Sequence, residues 1–174
     1  GSIKAQQVCE FLHSQKKFVV WGGVHASLNP EECTDWADIV CRGEGEGMML
    51  ELLERLEQGR DWKDIENVAY KENGCLHMND VQPPIPNLDE LPLPDFSFRD
   101  EYHLTRNGFM QVYTLDDAKH RILFNSSRGC AFHCAYCCNV KIKNLYAGKY
   151  RYVRRMSVPR LIEHTHQLRK IFPQ

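Results

Sequence analysis

Three cysteines within eight residues most constrain how this chain can fold. Cys130, Cys134 and Cys137 form a C-x3-C-x2-C pattern, which follows an apolar run and a Ser-Arg-Gly turn. Packing does not explain such a group, because one buried cysteine fills a core as well as three. The spacing therefore predicts a loop that wraps its thiolates around a single metal centre.

The thiolate triplet can hold zinc, an iron–sulfur cluster or a catalytic disulfide. Structural zinc sites use a second ligand pair. His164 and His166 are the candidates for that pair, but they point apart on a predicted helix.

A conventional ferredoxin cluster uses four cysteines with other spacings. Cys138, next to the triplet, is expected to be a buried thiol or to lie behind the ligands. His133, inside the loop, is expected to pack or to face solvent. Three ligands on a four-iron cluster leave one iron open for a substrate or cofactor.

The composition is that of a soluble globular protein, with 43% apolar and 26% charged residues among 174. No apolar run reaches the ~20 residues of a membrane helix, and the N-terminus lacks the layout of a signal peptide. We therefore expect a cytoplasmic protein. In that reducing compartment the four isolated cysteines are predicted to be buried thiols: Cys9, Cys33, Cys41 and Cys75.

The first third of the chain alternates helices and strands. The pattern predicts a helix at 3–13, a strand at 18–21, a helix from 29, a strand at 38–41 and a helix at 46–58. This order favours a parallel sheet flanked by helices. Two strands do not complete such a sheet, so the segment is interpreted as the last part of a Rossmann-like domain.

Both predicted strands end in glycine-rich turns. Glycine has no Cβ, so another backbone or a ligand can come close to such turns. The helix that follows the second turn favours polar or anionic groups at its N-terminus. A plain turn and a flexible acidic helix entrance are the alternatives. The residues concerned, with the histidine on the first loop, are Gly22, Gly23, His25, Gly43, Glu44 and Gly45.

The middle of the chain predicts a hairpin and an extended connector. Asn73-Gly74 between two short apolar stretches indicates a tight β-hairpin. Most of the prolines lie between 83 and 94, where they exclude helix and central strand. Strands are predicted at 109–115 and 121–124. A basic, tyrosine-containing loop follows the cysteines, and a final helix opens at Ser157.

The cysteine stretch resembles the C-x3-C-x-aromatic-C motif of the radical S-adenosylmethionine (SAM) superfamily. This resemblance implies that Cys130, Cys134 and Cys137 hold a 4Fe-4S cluster whose open iron binds SAM. It also implies that Tyr136 lies against the adenine. Reduction by an external donor of flavodoxin or ferredoxin type would cleave SAM to methionine and a 5′-deoxyadenosyl radical.

The N-terminal half is similar to cobalamin-binding radical SAM proteins, the class that includes the anaerobic magnesium-protoporphyrin monomethyl ester cyclases. The similarity lies in the order and spacing of Gly22–Ser27, Asn29–Glu32, Gly43–Glu46 and Leu88–Pro94. It implies that the glycine-rich turns approach cobalamin. The Asp-x-His-x-x-Gly signature of cobalamin-dependent methyltransferases is absent, so His25 is expected near the cofactor and not on the cobalt.

The sequence thus predicts an α/β chain in three parts. Residues 1–66 are the C-terminal part of a cobalamin-binding Rossmann-like domain, 67–117 a hairpin and proline-rich connector, and 118–174 the first βα unit of a partial TIM barrel. The predicted function is radical C–H activation of a small-molecule substrate, by methylation or cyclisation.

Two other functions are weighed against this one. The first is a non-catalytic zinc or iron–sulfur module whose basic, tyrosine-rich tail binds nucleic acid; the main interpretation expects no nucleic acid. The second is a redox protein that uses Cys137 and Cys138, which is disfavoured because a vicinal disulfide is strained.

Overall fold

Two parallel strands and an antiparallel hairpin form the central sheet of the protein. The structure is a computed structural model that describes residues 2–95, 102–104, 110–112, 124–148 and 150–171. For 102–104 and 110–112 it describes the backbone alone.

The chain divides into two compact units. The first unit comprises Gly1–Pro86 and Gly129–Tyr152, and the second comprises Asn87–Arg128 and Val153–Gln174. The cysteine loop thus packs with the N-terminal sheet. This grouping differs from the sequence division at 66 and 117, and those domain boundaries stay a prediction.

The first unit holds most of the regular structure. Its elements are α1 (Ser2–Ser14), β1 (Val20–Trp21), α2 (Val24–Leu28), α3 (Pro30–Cys33), β2 (Ile39–Cys41), α4 (Glu46–Glu57), β3 (Val68–Glu72), β4 (Cys75–Met78) and α5 (Cys138–Leu145). The predicted alternation of helices and strands is confirmed. The strand expected at 18–21 is shorter, because only its last two residues pair with β2.

The sheet has the order β1-β2-β3-β4. β1 pairs with β2 in parallel, and Trp21 lies opposite Val40. β3 then joins β2 in the antiparallel direction, with Cys41 opposite Val68. The expectation of a parallel sheet therefore holds for β1 and β2 alone, because the predicted hairpin extends the same sheet.

The hairpin turn is the one that the Asn-Gly pair predicts. Asn73 and Gly74 both have left-handed backbones, with φ of 51° and 77°. Two successive left-handed residues give the twist that matches antiparallel strands. The prediction of a tight hairpin is therefore confirmed.

Helices cover both faces of the sheet. Successive strand residues point to opposite faces, and the neighbours Ile39 and Val40 accordingly belong to different core clusters. One cluster takes Cys9 from α1 and Cys33 from α3. The other takes Met48 and Leu52 from α4. The arrangement is that of a helix–sheet–helix α/β layer structure.

Three of the four isolated cysteines are buried, as predicted, and one is not. Burial, followed by the nearby carboxylate of Glu32, raises the pKa of Cys33 to about 11. Burial likewise raises the pKa of Cys41 to about 11 and also raises that of Cys9. Cys75 is exposed, so the prediction of a buried thiol is wrong there. It lies on β4, the last strand of the sheet, most of whose side chains face solvent.

The second unit contains short strands and the final helix. Its described elements are a 3-10 turn (Leu88–Glu90), β5 (Tyr102–Leu104), β6 (Met110–Val112), β7 (Ser127–Arg128), β8 (Arg154–Arg155) and α6 (Val158–Ile171). β5 pairs with β6, and β7 with β8, both antiparallel. The strand predicted at 121–124, apart from Phe124, and part of that at 109–115 lie outside the described residues.

The start of α6 is fixed by its cap and by the connector. The hydroxyl of Ser157 accepts a hydrogen bond from the Arg160 N–H at 3.2 Å, as the sequence predicts. Asp89 accepts the Ser157 N–H at 2.9 Å, and this hydrogen bond holds the pKa of Asp89 below its usual value. Further along α6, His164 is buried whereas His166 is exposed, so the two rings point apart as expected.

Candidate cofactor site

Both glycine-rich turns lie at the same edge of the sheet. The turn that begins at Gly22 follows β1, and the turn that includes Gly43 follows β2. β1 and β2 are parallel neighbours, so their carboxyl ends meet at one edge. In open α/β sheets this edge is where ligands bind.

The first turn leaves open space beside its second glycine. Gly23 has a φ of 98°, and a Cβ added there would have no heavy atom within 4 Å. Gly22 lies against the sheet, because its added Cβ would be 3.5 Å from the Cβ of Cys41. The space next to Gly23 can therefore admit a ligand or another chain segment.

The sequence suggested that His25 lies on a loop. The structure places it within the short helix α2. Its Nδ1 lies 3.4 Å from the Asn29 amide, and its Nε2 lies 3.5 Å from a Glu32 carboxylate oxygen. Its ring centroid is 5.9 Å from that of Trp21. The ring is thus held by neighbours of its own helix region, next to the edge of the sheet.

Ser27 joins the two turns, and the sequence analysis did not identify it. Its hydroxyl donates to the Gly23 carbonyl at 2.9 Å and accepts the Gly43 N–H at 2.9 Å. The side chain is buried. A serine after an alanine in a short helix carries no sequence signal for this role, since the second turn lies sixteen residues away.

Glu44 forms hydrogen bonds with three other residues of the protein. Its N–H donates to the hydroxyl of Tyr146 at 2.7 Å. Its carbonyl accepts the Asn67 side-chain amide at 2.7 Å. Its carboxylate accepts the Ile85 N–H at 2.9 Å. Glu44 thereby connects the second turn to the hairpin, to the connector and to α5.

The close approach of Tyr146 explains the first glycine of the second turn. Gly43 has a φ of 84°, and an added Cβ would lie 2.5 Å from the Tyr146 hydroxyl and 3.1 Å from Val81 Cγ1. Tyr146 is only 3% exposed. Position 43 must therefore be a glycine because the Tyr146 side chain leaves no room for a Cβ. By contrast, an added Cβ at Gly45 would meet only the Sγ of Cys41, at 3.4 Å.

A helix begins directly after the cysteines, where the sequence predicted a basic loop. Cys137 is the N-cap of α5, and Tyr146 is its C-cap. α5 packs against α2. An eight-residue helix is marginal in isolation and depends on packing, so local sequence patterns do not identify it. The contact brings the segment after the cysteines to the edge that carries the glycine-rich turns.

The three motif cysteines are free thiols that are half-buried in the loop between β7 and α5. The Cys137 N–H donates to the Cys134 carbonyl at 3.0 Å, which closes a turn between two of them. Within the described ranges, no three His, Cys, Asp or Glu side chains are arranged to hold a single metal ion. Cys138 is exposed, so it is not the buried thiol that was one of the two expectations; the other, a thiol behind the ligands, stays a prediction.

The three cysteine sulfurs of this loop are suitable ligands for a metal cluster. Cys130, Cys134 and Cys137 are more accessible than the core thiols, and the sulfur of Cys137 lies at a helix N-terminus. A thiol must be accessible to bind a metal, and three cysteine sulfurs in one loop are the kind of donor set that an iron–sulfur cluster uses. His133, also in this loop, is in contact with the Lys143 ammonium at 2.8 Å.

Two aromatic side chains of the loop are strongly exposed. Tyr136, at the position that the resemblance assigns to the adenine, is 93% exposed, and Phe132 is 74% exposed. Neither side chain is needed to fill a core. Both are available to contact a bound molecule.

The basic segment after the cysteines is not a uniform solvent-facing surface. Arg154 and Tyr146, which belong to the basic, tyrosine-rich tail, are buried. Lys143 is in contact with His133. The described part of the segment therefore offers fewer free groups to a phosphate backbone than its composition suggests.

Comparison with known proteins identifies relatives of most of the chain. No protein-family model matches the chain. It is 36% identical, over 86% of its length, to an uncharacterized methyltransferase of Pyrococcus horikoshii. It is 30% identical, over 68% of its length, to the anaerobic magnesium-protoporphyrin IX monomethyl ester cyclase of Rubrivivax gelatinosus. The chain is homologous to part of these enzymes.

The homology covers a limited share of each relative. The chain spans 30% of the methyltransferase and 21% of the cyclase. Its fold resembles that of the cobalamin-dependent SAM radical enzyme OxsB, with a TM-score of 0.68 and 19% identity over 97% of this chain and 22% of that one. The predicted relationship to the anaerobic magnesium-protoporphyrin monomethyl ester cyclases is confirmed. Both homologues are enzymes, a methyltransferase and a cyclase, as the sequence analysis expects of this protein.

A membrane-spanning helix was not expected, and the described residues contain no helix that is long and apolar enough to be one.

Proposed function

We propose that this chain is part of a cobalamin-binding radical SAM enzyme that activates a C–H bond of a small-molecule substrate, for methylation or cyclisation. The observation that carries the proposal is the hydrogen bond between the Tyr146 hydroxyl and the Glu44 N–H. It joins the helix after the cysteines to the glycine-rich turn after β2. The two regions with cofactor motifs therefore belong to one unit of the fold.

The cysteine loop would hold the cluster. Cys130, Cys134 and Cys137 would supply three thiolates to a 4Fe-4S cluster, and Tyr136 would lie against the adenine of SAM. When bound, the cluster and SAM would supply a 5′-deoxyadenosyl radical after reduction by a donor of flavodoxin or ferredoxin type. Three thiolates from one loop leave the fourth iron for SAM, because each ligand takes one corner.

The glycine-rich turns would contact cobalamin. The open space beside Gly23 can admit part of a large planar ligand, and Gly22 allows that ligand to approach the sheet. His25 and Gly45 lie near the same edge. Glu44 is held by three protein groups, so its role would be to shape the turn. In the complete protein, the segment from 118 would form the first βα unit of a partial TIM barrel.

Reconstitution with iron and sulfide tests the cluster. Under anaerobic conditions the wild-type protein should turn brown with broad visible absorbance, and Cys134→Ala should lose that absorbance because one corner loses its thiolate. Cys75→Ala is the matched control, since it removes an exposed cysteine outside the loop. A Cys134→Ala protein with wild-type absorbance and iron content would contradict the assignment.

Titration with hydroxocobalamin tests the second site. Gly23→Val should weaken binding, because the new side chain enters the open space beside the turn. Gly74→Val is the control, since Gly74 shares the left-handed backbone and the open surroundings but lies in the hairpin. Equal affinity of the two variants would argue against cobalamin at this edge.

The alternative of a nucleic-acid module makes a different prediction. Binding to single-stranded RNA or DNA would be steeply salt-dependent. The burial of Arg154 and Tyr146 does not favour it.

A further inference from the structure

We propose that Asn139 raises the reduction potential of the cluster by donating a hydrogen bond to the sulfur of Cys137. The proposal rests on the proposed function, because it requires a cluster on Cys137. The Nδ2 of Asn139 lies 3.5 Å from the Sγ of Cys137. That sulfur, a free thiol in this structure, stands for the thiolate that would bind iron.

The position of the amide follows from the start of α5. Cys137 is the N-cap, with an extended backbone (φ −98°, ψ 131°). Asn139 follows two residues later in the first turn of the helix. A side chain at this position can reach back to the cap residue, as polar side chains do at helix starts. The half-buried amide is thus beside the sulfur without any rearrangement of the loop.

A second contact orients the amide. The hydroxyl of Tyr152 donates to the Oδ1 of Asn139 at 3.5 Å. Because the hydroxyl hydrogen faces Oδ1, the N–H group of the amide faces the sulfur. The opposite orientation would place the amide oxygen against a thiolate, and two acceptors repel each other.

The orienting tyrosine is itself supported by the glycine-rich turn. The rings of Tyr152 and Tyr146 lie 6.1 Å apart between centroids. Tyr146 is fixed by the Glu44 N–H at 2.7 Å. Contacts therefore run from Glu44 through the two tyrosines and Asn139 to Cys137. The chain of contacts makes Asn139 a positioning residue that acts on the cluster through its ligand.

The physical effect has a definite sign. One-electron reduction makes a cluster more negative, and part of the added charge resides on its sulfur ligands. A donor hydrogen bond to a ligand sulfur stabilises that charge, so it favours the reduced state and raises the potential. A half-buried location increases the effect, because water screens the interaction less. Removal of the donor should therefore make the cluster harder to reduce.

The test is a redox titration of the reconstituted protein followed by electron paramagnetic resonance. Iron and sulfide contents are measured first, so that only equally loaded proteins are compared. Asn139→Leu removes the donor and should titrate at a more negative potential than the wild type. Asn139→Asp keeps the shape but places a carboxylate beside the sulfur, and should be lower still. Asn144→Leu, at an exposed position of the same helix, should match the wild type.

Each outcome decides the proposal. Asn139→Leu with wild-type iron and sulfide contents and a wild-type potential would overturn it. If that variant takes up no cluster, Tyr152→Phe provides the comparison, because it removes only the orienting hydroxyl; a potential more negative than that of the wild type supports the proposal, and an unchanged potential overturns it. A wild-type protein that takes up no iron and sulfide would overturn the proposed function itself, a result that appears before any variant is compared.

Discussion

The Tyr146 hydroxyl lies 2.7 Å from the backbone nitrogen of Glu44, although 102 residues separate them in sequence. Tyr146 ends the helix that follows the cysteines, and Glu44 lies in the turn that follows β2. The contact explains how a loop near the C-terminus of this chain packs with the N-terminal sheet.

Tyr146→Phe should lower the free energy of unfolding by about 1 kcal/mol, because the Glu44 N–H loses its partner while the ring still fills its site. Urea denaturation followed by circular dichroism measures the change. Tyr150→Phe is the control, since Tyr150 is half exposed. Equal midpoints for Tyr146→Phe and the wild type would show that the hydrogen bond does not stabilise the unit.

Gly43→Ala should destabilise the protein more than Gly74→Ala does. Both substitutions place a Cβ on a left-handed backbone, at a cost of about 1 kcal/mol. Only the first also places it 2.5 Å from the Tyr146 hydroxyl, which should add about 1–3 kcal/mol. The double variant Gly43→Ala/Tyr146→Phe should lose less stability than the sum of the single variants, because the clash is partly relieved. Strict additivity in thermal unfolding would contradict this steric explanation.

Asn67→Ala should cost about 3 kcal/mol, because two partners lose a buried amide. The Nδ2 of Asn67 donates to the Glu44 carbonyl, and its Oδ1 accepts the Gln82 N–H at 2.6 Å. Asn73→Ala is the matched control, since Asn73 is also left-handed but exposed. A similar loss for both variants in denaturant titrations would mean that backbone strain, and not the hydrogen bonds, dominates.

The stability of the fold should decrease as the pH rises from about 9 to about 11. The pKa of Cys33 and of Cys41 is raised by burial to about 11, from an ordinary value of 9.0. In this range the unfolded chain releases thiol protons that the folded chain retains, so rising pH favours unfolding. Urea midpoints at about pH 8 and about pH 10.5 measure the decrease.

Cys41→Ala should show a smaller decrease with pH than the wild type, because one of the shifted thiols is gone. Cys75→Ala should retain the full decrease, since Cys75 is exposed. If Cys41→Ala and the wild type decrease equally, other groups must control the alkaline transition.

Local patterns in the sequence were sufficient for the elements that depend on local physics. The Asn73-Gly74 turn forms because two adjacent residues tolerate left-handed backbones, and the α6 cap forms because Ser157 reaches an N–H three residues away. The cysteine spacing and the glycine-rich turns likewise led to the relationship that the homologues confirm.

Features that depend on distant contacts were not predictable. α5 packs against α2, and Ser27 gains its role from a turn sixteen residues away. Gly43 was interpreted as a position for ligand approach, which stays a prediction, and the sequence did not show that the Tyr146 hydroxyl lies against it. No local rule connects residues 43 and 146, so only the folded chain reveals that one requires the other.

The content of iron, acid-labile sulfide and zinc in the anaerobically purified and reconstituted protein tests the central claim most directly. The account predicts about four iron and about four sulfide ions per chain with little zinc, as a 4Fe-4S cluster on three thiolates requires. A colourless protein with about one zinc ion per chain and no sulfide would contradict it, because such a site would be structural.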